Sequence, residues 1–464
     1  MLFGPHETNL GRGRAISERH VAYYARRAAG GCGVVVTETA SVHVSDHPYE
    51  RAPLAADCGP GWADVVAACR PHGALLLASL GHTGAQGSSG YGQTALWAPS
   101  AVPDVATREV PVAMERADVD AVVAGFAAGT RVAVGAGVDG VEIDAGARSL
   151  LRQFASGLTN HRGDAYGADR LRLLREVLAA VRAELGRGRV LALRLRCDEE
   201  APWAGITPSL AVEHVRELAP LVDLLVVVRG SGLTPSAYRP DGHTRPGFNA
   251  ELTRSMRAAA GGTPVVLQGS VVDVAAAHRA LDDGVADAVE MTRAQIADAD
   301  LVGKARTGVP VRPCTLCNQA CQVRDVRNPL VSCIADPSEE GALPELLAAA
   351  GREVTLVTRD AVVGERLGGD LAPANARLAR AGVRRETSAV LRSAGDGIAV
   401  LADRWTEEER SVPCAVVVDA GPGLPGVVPP GALAAGDAVA PRTVLEAVLE
   451  GRRAARALLA APPR

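Results

Sequence analysis

The feature that most constrains this chain is an alternation. Over residues 1–312, short β-branched runs and longer helical patterns follow one another eight times. The runs are Leu2–His6, Gly33–Glu38, Ala74–Leu80, Gly140–Ala145, Val190–Arg196, Leu224–Gly230, Val265–Ser270 and Ala288–Arg293. Strand-length runs separated by helical stretches are the signature of a parallel α/β sheet. Eight such units in about 300 residues fit a closed (β/α)8 TIM barrel. The rival, a doubly wound open sheet, would carry a glycine-rich phosphate loop after its first strand, and none follows Leu2–His6. Three helical stretches stand out. Ser17–Gly30 opens on an N-cap serine with Glu18 in the first turn, Ala168–Leu185 carries leucines at helical spacing, and Asp273–Leu281 is rich in alanine.

A chain of 464 residues suggests more than one domain. Residues 313–337 form a cysteine-rich connector, and 338–464 shift to alanine, leucine, arginine and glycine, as a second, smaller α/β domain would. There Pro344–Gly351 and Val444–Leu459 read as helices, and Glu353–Arg359 and Cys414–Asp419 as strands. The connector reads Cys314-Thr-Leu-Cys317-Asn-Gln-Ala-Cys321, then Cys333 after eleven more residues. Three close cysteines cap three irons of a cubane from one loop, and the fourth arrives from a distance. Structural zinc, the other reading, prefers two paired clips, and a second clip is missing here. Pro313 and Asn318 read as residues that only shape the turn. Cys32, Cys58, Cys69, Cys197 and Cys414 are scattered and read as small buried hydrophobes.

Charge excludes some classes of partner. Lys+Arg 49 against Asp+Glu 53 gives −4, which offers neither nucleic acid nor an anionic membrane a reason to bind. Nowhere is there an apolar run of membrane-spanning length. Met1–Glu7 lacks the basic and apolar regions of a signal peptide, so a cytoplasmic location is expected.

The barrel and connector together resemble the old yellow enzyme superfamily (NADH:flavin oxidoreductases), in the branch of dienoyl-CoA reductase and trimethylamine dehydrogenase. The matching stretches are Gly4-Pro5-His6-Glu7-Thr8, Tyr24–Gly31, Gly81-His82-Thr83-Gly84, Gly140-Val141-Glu142-Ile143, Gln153-Phe154, Thr159-Asn160-His161-Arg162, Asp164–Gly167 and Met291-Thr292-Arg293, with the four cysteines. His6–Leu10 and Pro48–Leu54 further resemble oxidoreductases of the mycofactocin redox-cofactor system.

The resemblance implies FMN at the C-terminal mouth of the barrel, where strand ends present side chains and amides. Pro5, His6, Glu7 and Thr8 would line the flavin ring, with Thr39 after the second strand. Arg194 matches the arginine beside the flavin N1 and O2, where a fixed cation stabilises reduced flavin; half of a buried ion pair is the alternative. Gly269, Ser270, Thr292 and Arg293 match the loops that hold the FMN phosphate. Two departures matter. Ser79 stands where the family has a longer glutamine. After Ile143, the usual His or Tyr donors give way to Asp144, Ala147 and Ser149. His6, Glu7, Asp144, Tyr238 and His243 are the candidate substitutes for acid or base work.

In the resembling proteins the second domain binds FAD or ADP and a nicotinamide. Here no GxGxxG follows a strand after Cys333, and Gly436-Asp437 alone matches a flavin-domain motif, so a truncated Rossmann-like domain without tight FAD binding is expected. The leading function is an ene-reductase or amine-dehydrogenase type enzyme. It would move electrons between a small-molecule substrate or nicotinamide and an acceptor through FMN and a [4Fe–4S] cluster, with a redox partner protein as one acceptor. The alternatives are a degenerate barrel kept for electron transfer or binding without turnover, and a zinc-bearing non-redox enzyme.

Overall fold

The structure is a computed structural model. It describes residues 1–105, 107–232, 234–318, 321–323, 331, 333, 352–363 and 371–417. The chain divides into two compact units, Met1–Ala335 and Asp336–Arg464.

Each of the eight runs contains a strand of the first unit. These are β1 (Leu2–Phe3), β2 (Val34–Val36), β3 (Leu75–Gly81), β4 (Gly140–Ala145), β5 (Val190–Asp198), β6 (Leu224–Arg229), β7 (Val265–Leu267) and β8 (Ala288–Val289). They pair in parallel in chain order, and a short strand, Ala40–Ser41, lies beside β3. Leu2 bridges to Glu290, and the Met291 amide donates to the Leu2 carbonyl at 3.1 Å, which closes the ring. This is the barrel that the alternation implies.

Helices wrap the ring. α1 (Glu18–Ala29), α2 (Gly59–Cys69), α3 (Arg116–Gly135), α4 (Arg172–Leu185), α5 (Pro208–Leu218), α6 (Ala250–Ala259) and α7 (Val274–Asp282) follow β1 to β7 in turn, and α8 (Thr292–Ala297) and α9 (Leu301–Thr307) follow β8. Ser17 caps α1, its side chain accepting from the Arg19 amide and pairing with His20 in a capping box. Asp273 caps α7 through the Ala275 amide. α4 starts later than its leucine pattern. Asp164 caps a separate short helix, Ala165–Ala168, and Asp169 is extended, so a new helix has to begin.

Several strands are shorter than their runs, each for a local reason. β1 stops at Phe3 because Pro5 has no N–H to donate and the Gly4 amide bonds instead to Thr292 Oγ1 at 2.9 Å. β7 stops at Leu267 because Gly269 (φ 129°) and Ser270 (φ 51°) turn left-handed. β8 stops at Val289 because Thr292 and Arg293 open α8. β5 runs past Arg196 to Asp198.

Side chains alternate across each strand. The outward set, including Phe3, Val35, Leu76, Val141, Ile143, Leu193 and Leu225, packs under the helices in one core. The inward set begins as an aliphatic plug of Leu2, Val36, Leu77, Ala192, Val226 and Val266. Toward the C-terminal ends the same inward face turns polar, first at Ser79, Glu142 and Arg194, then at Asp144 and Arg196. The plug makes one end of the barrel dry packing and leaves the other end for chemistry.

In the second unit, β9 (Thr355–Val357) pairs in parallel with β10 (Arg384–Glu386), and α10 (Leu371–Arg380) lies between them in sequence. β11 (Ala389–Gly395), β12 (Ile398–Asp403) and β13 (Glu409–Pro413) form an antiparallel meander that the sequence reading did not anticipate. The strand expected at Cys414–Asp419 is corrected over its described part: residues 414–417 follow β13 outside any strand, Cys414 is only half-buried, and 418–419 lie outside the described residues. Cys32, Cys58, Cys69 and Cys197 are buried, as expected of structural thiols. Pro344–Gly351, Gly436-Asp437 and Val444–Leu459 lie outside the described residues.

Candidate active site and cysteine cavity

The polar end of the barrel holds an ion cluster. Arg194 Nε donates to Glu142 Oε1 at 2.8 Å, and its Nη2 to Glu290 Oε2 at 2.5 Å. The three side chains come from β4, β5 and the residue after β8, so the cluster spans the bore. Burial pushes the Glu142 carboxyl up to about 7, with the nearby Glu290 charge adding and Arg194 opposing. Burial also works against the Arg194 charge, but the two carboxylates outweigh it and hold its pKa above the ordinary value. Arg194 is thus the buried ion pair weighed against the flavin role, and it still presents a fixed cation at the barrel mouth. Thr292 joins the cluster, its hydroxyl donating to Glu290 Oε1 at 3.1 Å.

The candidates near the first strand separate. The His6 ring bonds Tyr23 Oη at 2.8 Å and the Gly4 carbonyl at 2.9 Å, edge-on to Phe3. Burial lowers its pKa to about 4, so it stays neutral and acts as a scaffold toward α1. Thr8 is likewise committed. Its hydroxyl donates to Glu38 Oε2 at 2.6 Å, and Glu38 also binds His20 (2.7 Å) and Tyr49 Oη (2.6 Å). Burial would raise the Glu38 pKa, but His20 and the hydroxyl donors hold it below the usual carboxylate range. Glu7 turns the other way, to Arg148 Nη1 at 3.6 Å, and the Arg148 guanidinium lies 5.6 Å from the Tyr238 ring centroid. Glu7, Arg148 and Tyr238, from the loops after β1, β4 and β6, therefore meet.

Thr39 and Ser79 come together, hydroxyl to hydroxyl at 2.9 Å. Asp144 projects inward beside β5, one oxygen accepting from the Gly146 amide at 2.8 Å. Burial raises its pKa above the ordinary value, against the pull of that amide and of Arg194. Ser149 is spent on structure: it caps the Leu150–Ala155 helix and donates to the Asp144 carbonyl at 2.5 Å. His243 is exposed, and its ring makes no hydrogen bond among the described residues.

Of the four expected phosphate residues, Gly269, Ser270 and Arg293 converge, while Thr292 is spent on the Gly4 amide and Glu290. Arg293 Nη2 lies 3.3 Å from Ser270 Oγ, next to the left-handed Gly269. A Cβ on Gly269 would come within 2.8 Å of Asn249 Cβ. A bare, twisted backbone beside a half-buried guanidinium fits a phosphate. The other Arg293 nitrogen, Nη1, donates at 2.6 Å to Asn318 Oδ1 and at 2.6 Å to the Pro240 carbonyl. Asn318 is buried at φ 53° and also donates to the Arg239 carbonyl at 2.9 Å. The turn-shaping role expected of Asn318 is thus too modest, since it ties the cysteine loop to the barrel.

Cys314, Cys317, Cys321 and Cys333 line one cavity with Arg293 and Leu316. Arg239 Nη2 lies 3.0 Å from Cys321 Sγ. Among the described residues no group of three or more His, Cys, Asp or Glu is placed to hold a single metal ion. Four cysteine side chains thus line one cavity, and four thiolates are the ligand number of both an iron–sulfur cubane and a structural zinc.

Sequence reasoning missed Arg196, Arg148 and Glu290. The first was findable: Arg196 is two residues beyond Arg194 on the same strand, so period-2 alternation puts both on one face.

No helix among the described residues is long and apolar enough to cross a membrane. A metal reductase of Desulforamulus reducens is 31% identical over 74% of this chain and 50% of its own length. An N,N-dimethylglycine/sarcosine dehydrogenase of Chromohalobacter salexigens is 29% identical over 64% of this chain and 44% of its own. The chain thus spans about half the length of the curated relatives it matches. Histamine dehydrogenase from Rhizobium sp. 4-9 superposes with a TM-score of 0.81 at 19% identity, covering 99% of this chain and 95% of that one, a likeness of fold. The model of the NADH:flavin oxidoreductase / NADH oxidase family matches residues 5–312, and the chain belongs to that family.

Proposed function

We propose that this protein is an oxidoreductase that binds FMN at the barrel mouth and a [4Fe–4S] cluster at Cys314, Cys317, Cys321 and Cys333. It would exchange electrons between a small organic substrate or nicotinamide and an acceptor such as a partner protein. One observation carries the reading: Arg293 contacts Ser270 of the phosphate loop and Asn318 of the cysteine loop at once, so the two cofactor sites are built around a shared residue.

When bound, FMN supplies two-electron exchange with substrate and the cluster supplies single-electron transfer. The chain's own residues do the rest. Gly269, Ser270 and Arg293 hold the phosphate, and Arg194 supplies fixed positive charge near the ring. Pro5, Thr39 and Ser79 shape the wall. Asp144, whose pKa burial raises, and Tyr238 are the side chains placed at the mouth for acid–base work. The neutral His6 orients the first loop.

Relatives acting on N-methylated amino acids and a structural neighbour acting on an amine make a small amine one substrate class to test, beside enones, NADH and mycofactocin. The experiment is anaerobic purification with absorbance, iron and sulfide analysis. Flavin bands with about four irons per chain and bleaching by one of these compounds are expected. A colourless protein containing zinc overturns the reading. Cofactors that no substrate bleaches would leave an electron-transfer or binding protein.

A further inference from the structure

Arg196 is 1% exposed, yet its Nε and Nη1 make no hydrogen bond among the described residues. It is the last inward side chain before Asp198 ends β5, two residues beyond Arg194 and therefore ~7 Å nearer the mouth. Two acidic side chains, Glu199 and Asp144, attract its charge but spend their hydrogen bonds elsewhere. Glu199 Oε1 accepts from Arg152 at 2.7 Å, and its Oε2 from Ser156 Oγ at 2.5 Å and the Ile206 amide at 2.8 Å. Asp144 turns back onto the Gly146 amide. Two guanidinium nitrogens buried without an acceptor are costly, and they leave a pair of donors open to an anion.

We propose that Arg196 is the substrate-recognition residue of the mouth and takes a carboxylate of the substrate in its planar fork. Resting on the FMN reading, this narrows the substrate class to small organic acids, including amino acids. Arg194 cannot serve, since both of its carboxylate partners already occupy it. Arg148 is already paired with Glu7. Asp144, one strand away, is then set to face a cationic or hydrogen-bonding group on the same substrate.

Benzoate and its neutral isostere benzamide, titrated into FMN-loaded protein and read by flavin absorbance, test this. Wild type should bind benzoate at least ~10-fold more tightly than benzamide, since a charge-assisted bidentate pair is at stake. R196M and R196Q should abolish that preference while benzamide binding changes less than ~3-fold. Both variants should keep their FMN, and R196M should melt no lower than wild type because two buried donors without acceptors are gone. The inference is overturned if wild type shows no preference, if the preference survives both substitutions, or if R196M loses FMN or stability. A preparation without flavin would sink the proposed function but not this inference. Arg196 would then be read from a benzoate-dependent rise in melting temperature, present in wild type and absent in R196M in support, and equal in both in refutation.

Discussion

At the scale of single residues, the mouth of this barrel is governed by how two carboxylates share one guanidinium. Glu142 and Glu290 both reach Arg194, and burial leaves Glu142 at about 7. A carboxyl whose folded pKa lies above its unfolded value binds its proton more tightly in the native state. Its contribution to stability is therefore full below the unfolded value, near 4.5, and is lost as pH rises through about 7. Glu142→Gln cannot ionise, so the melting temperature of that variant should stay flatter than wild type from pH 5 to pH 8. The two proteins should converge at the acid end. Superimposable pH profiles would mean that Glu142 binds its proton no more tightly in the folded protein than in the unfolded chain. The sequence pointed to Arg194 but not to what surrounds it, because Glu142 and Glu290 lie far apart in the chain and meet only when the ring closes. Arg196 was legible in principle from its two-residue spacing, but the resemblance drew attention to Arg194 alone.

At the scale of elements, short runs alternating with helical stretches made all eight strands readable, while their ends depended on single residues. Pro5, Gly269 and Ser270 each cut a strand short by taking the backbone out of the ladder. The meander of β11–β13 is hard to read because its two outer strands are mostly exposed and carry polar residues such as Arg392, Ser393, Glu409 and Arg410, so that only Ile398–Ala402 of β12 is an apolar run. Two predictions belong here. Ser17→Ala removes the acceptor for the Arg19 amide and a donor to the Leu10 carbonyl (2.7 Å), and should cost about 1 kcal/mol in denaturant unfolding. An unchanged midpoint would show that the cap contributes nothing. Gly269→Ala places a methyl 2.8 Å from Asn249 Cβ at φ 129°, a conformation that only glycine adopts easily. Flavin content should fall severalfold while the barrel still folds, and full FMN occupancy in this variant would remove Gly269 from the phosphate site.

At the scale of the whole molecule, the two units pose different problems of cofactor retention. The first unit brings together a cation, a twisted glycine-serine pair and four cysteines, connected through Arg293 and Asn318. In the second unit, the helical return from β9 to β10 resembles part of a nucleotide-binding half. Yet the sequence between Cys333 and β9 contains no GxGxxG, and a dinucleotide's two phosphates rely on such backbone amides for their attraction. Acid-released flavin from anaerobically purified protein should therefore run as FMN alone, near one per chain, with about four irons and no ADP-containing species. Arg293→Ala should lower flavin and iron together, because its guanidinium bonds to both loops. Loss of flavin with iron untouched would show that Arg293 serves the phosphate alone. FAD recovered in stoichiometric amount would show that the chain holds a dinucleotide without a glycine-rich cradle, against the expectation drawn from residues 334–354.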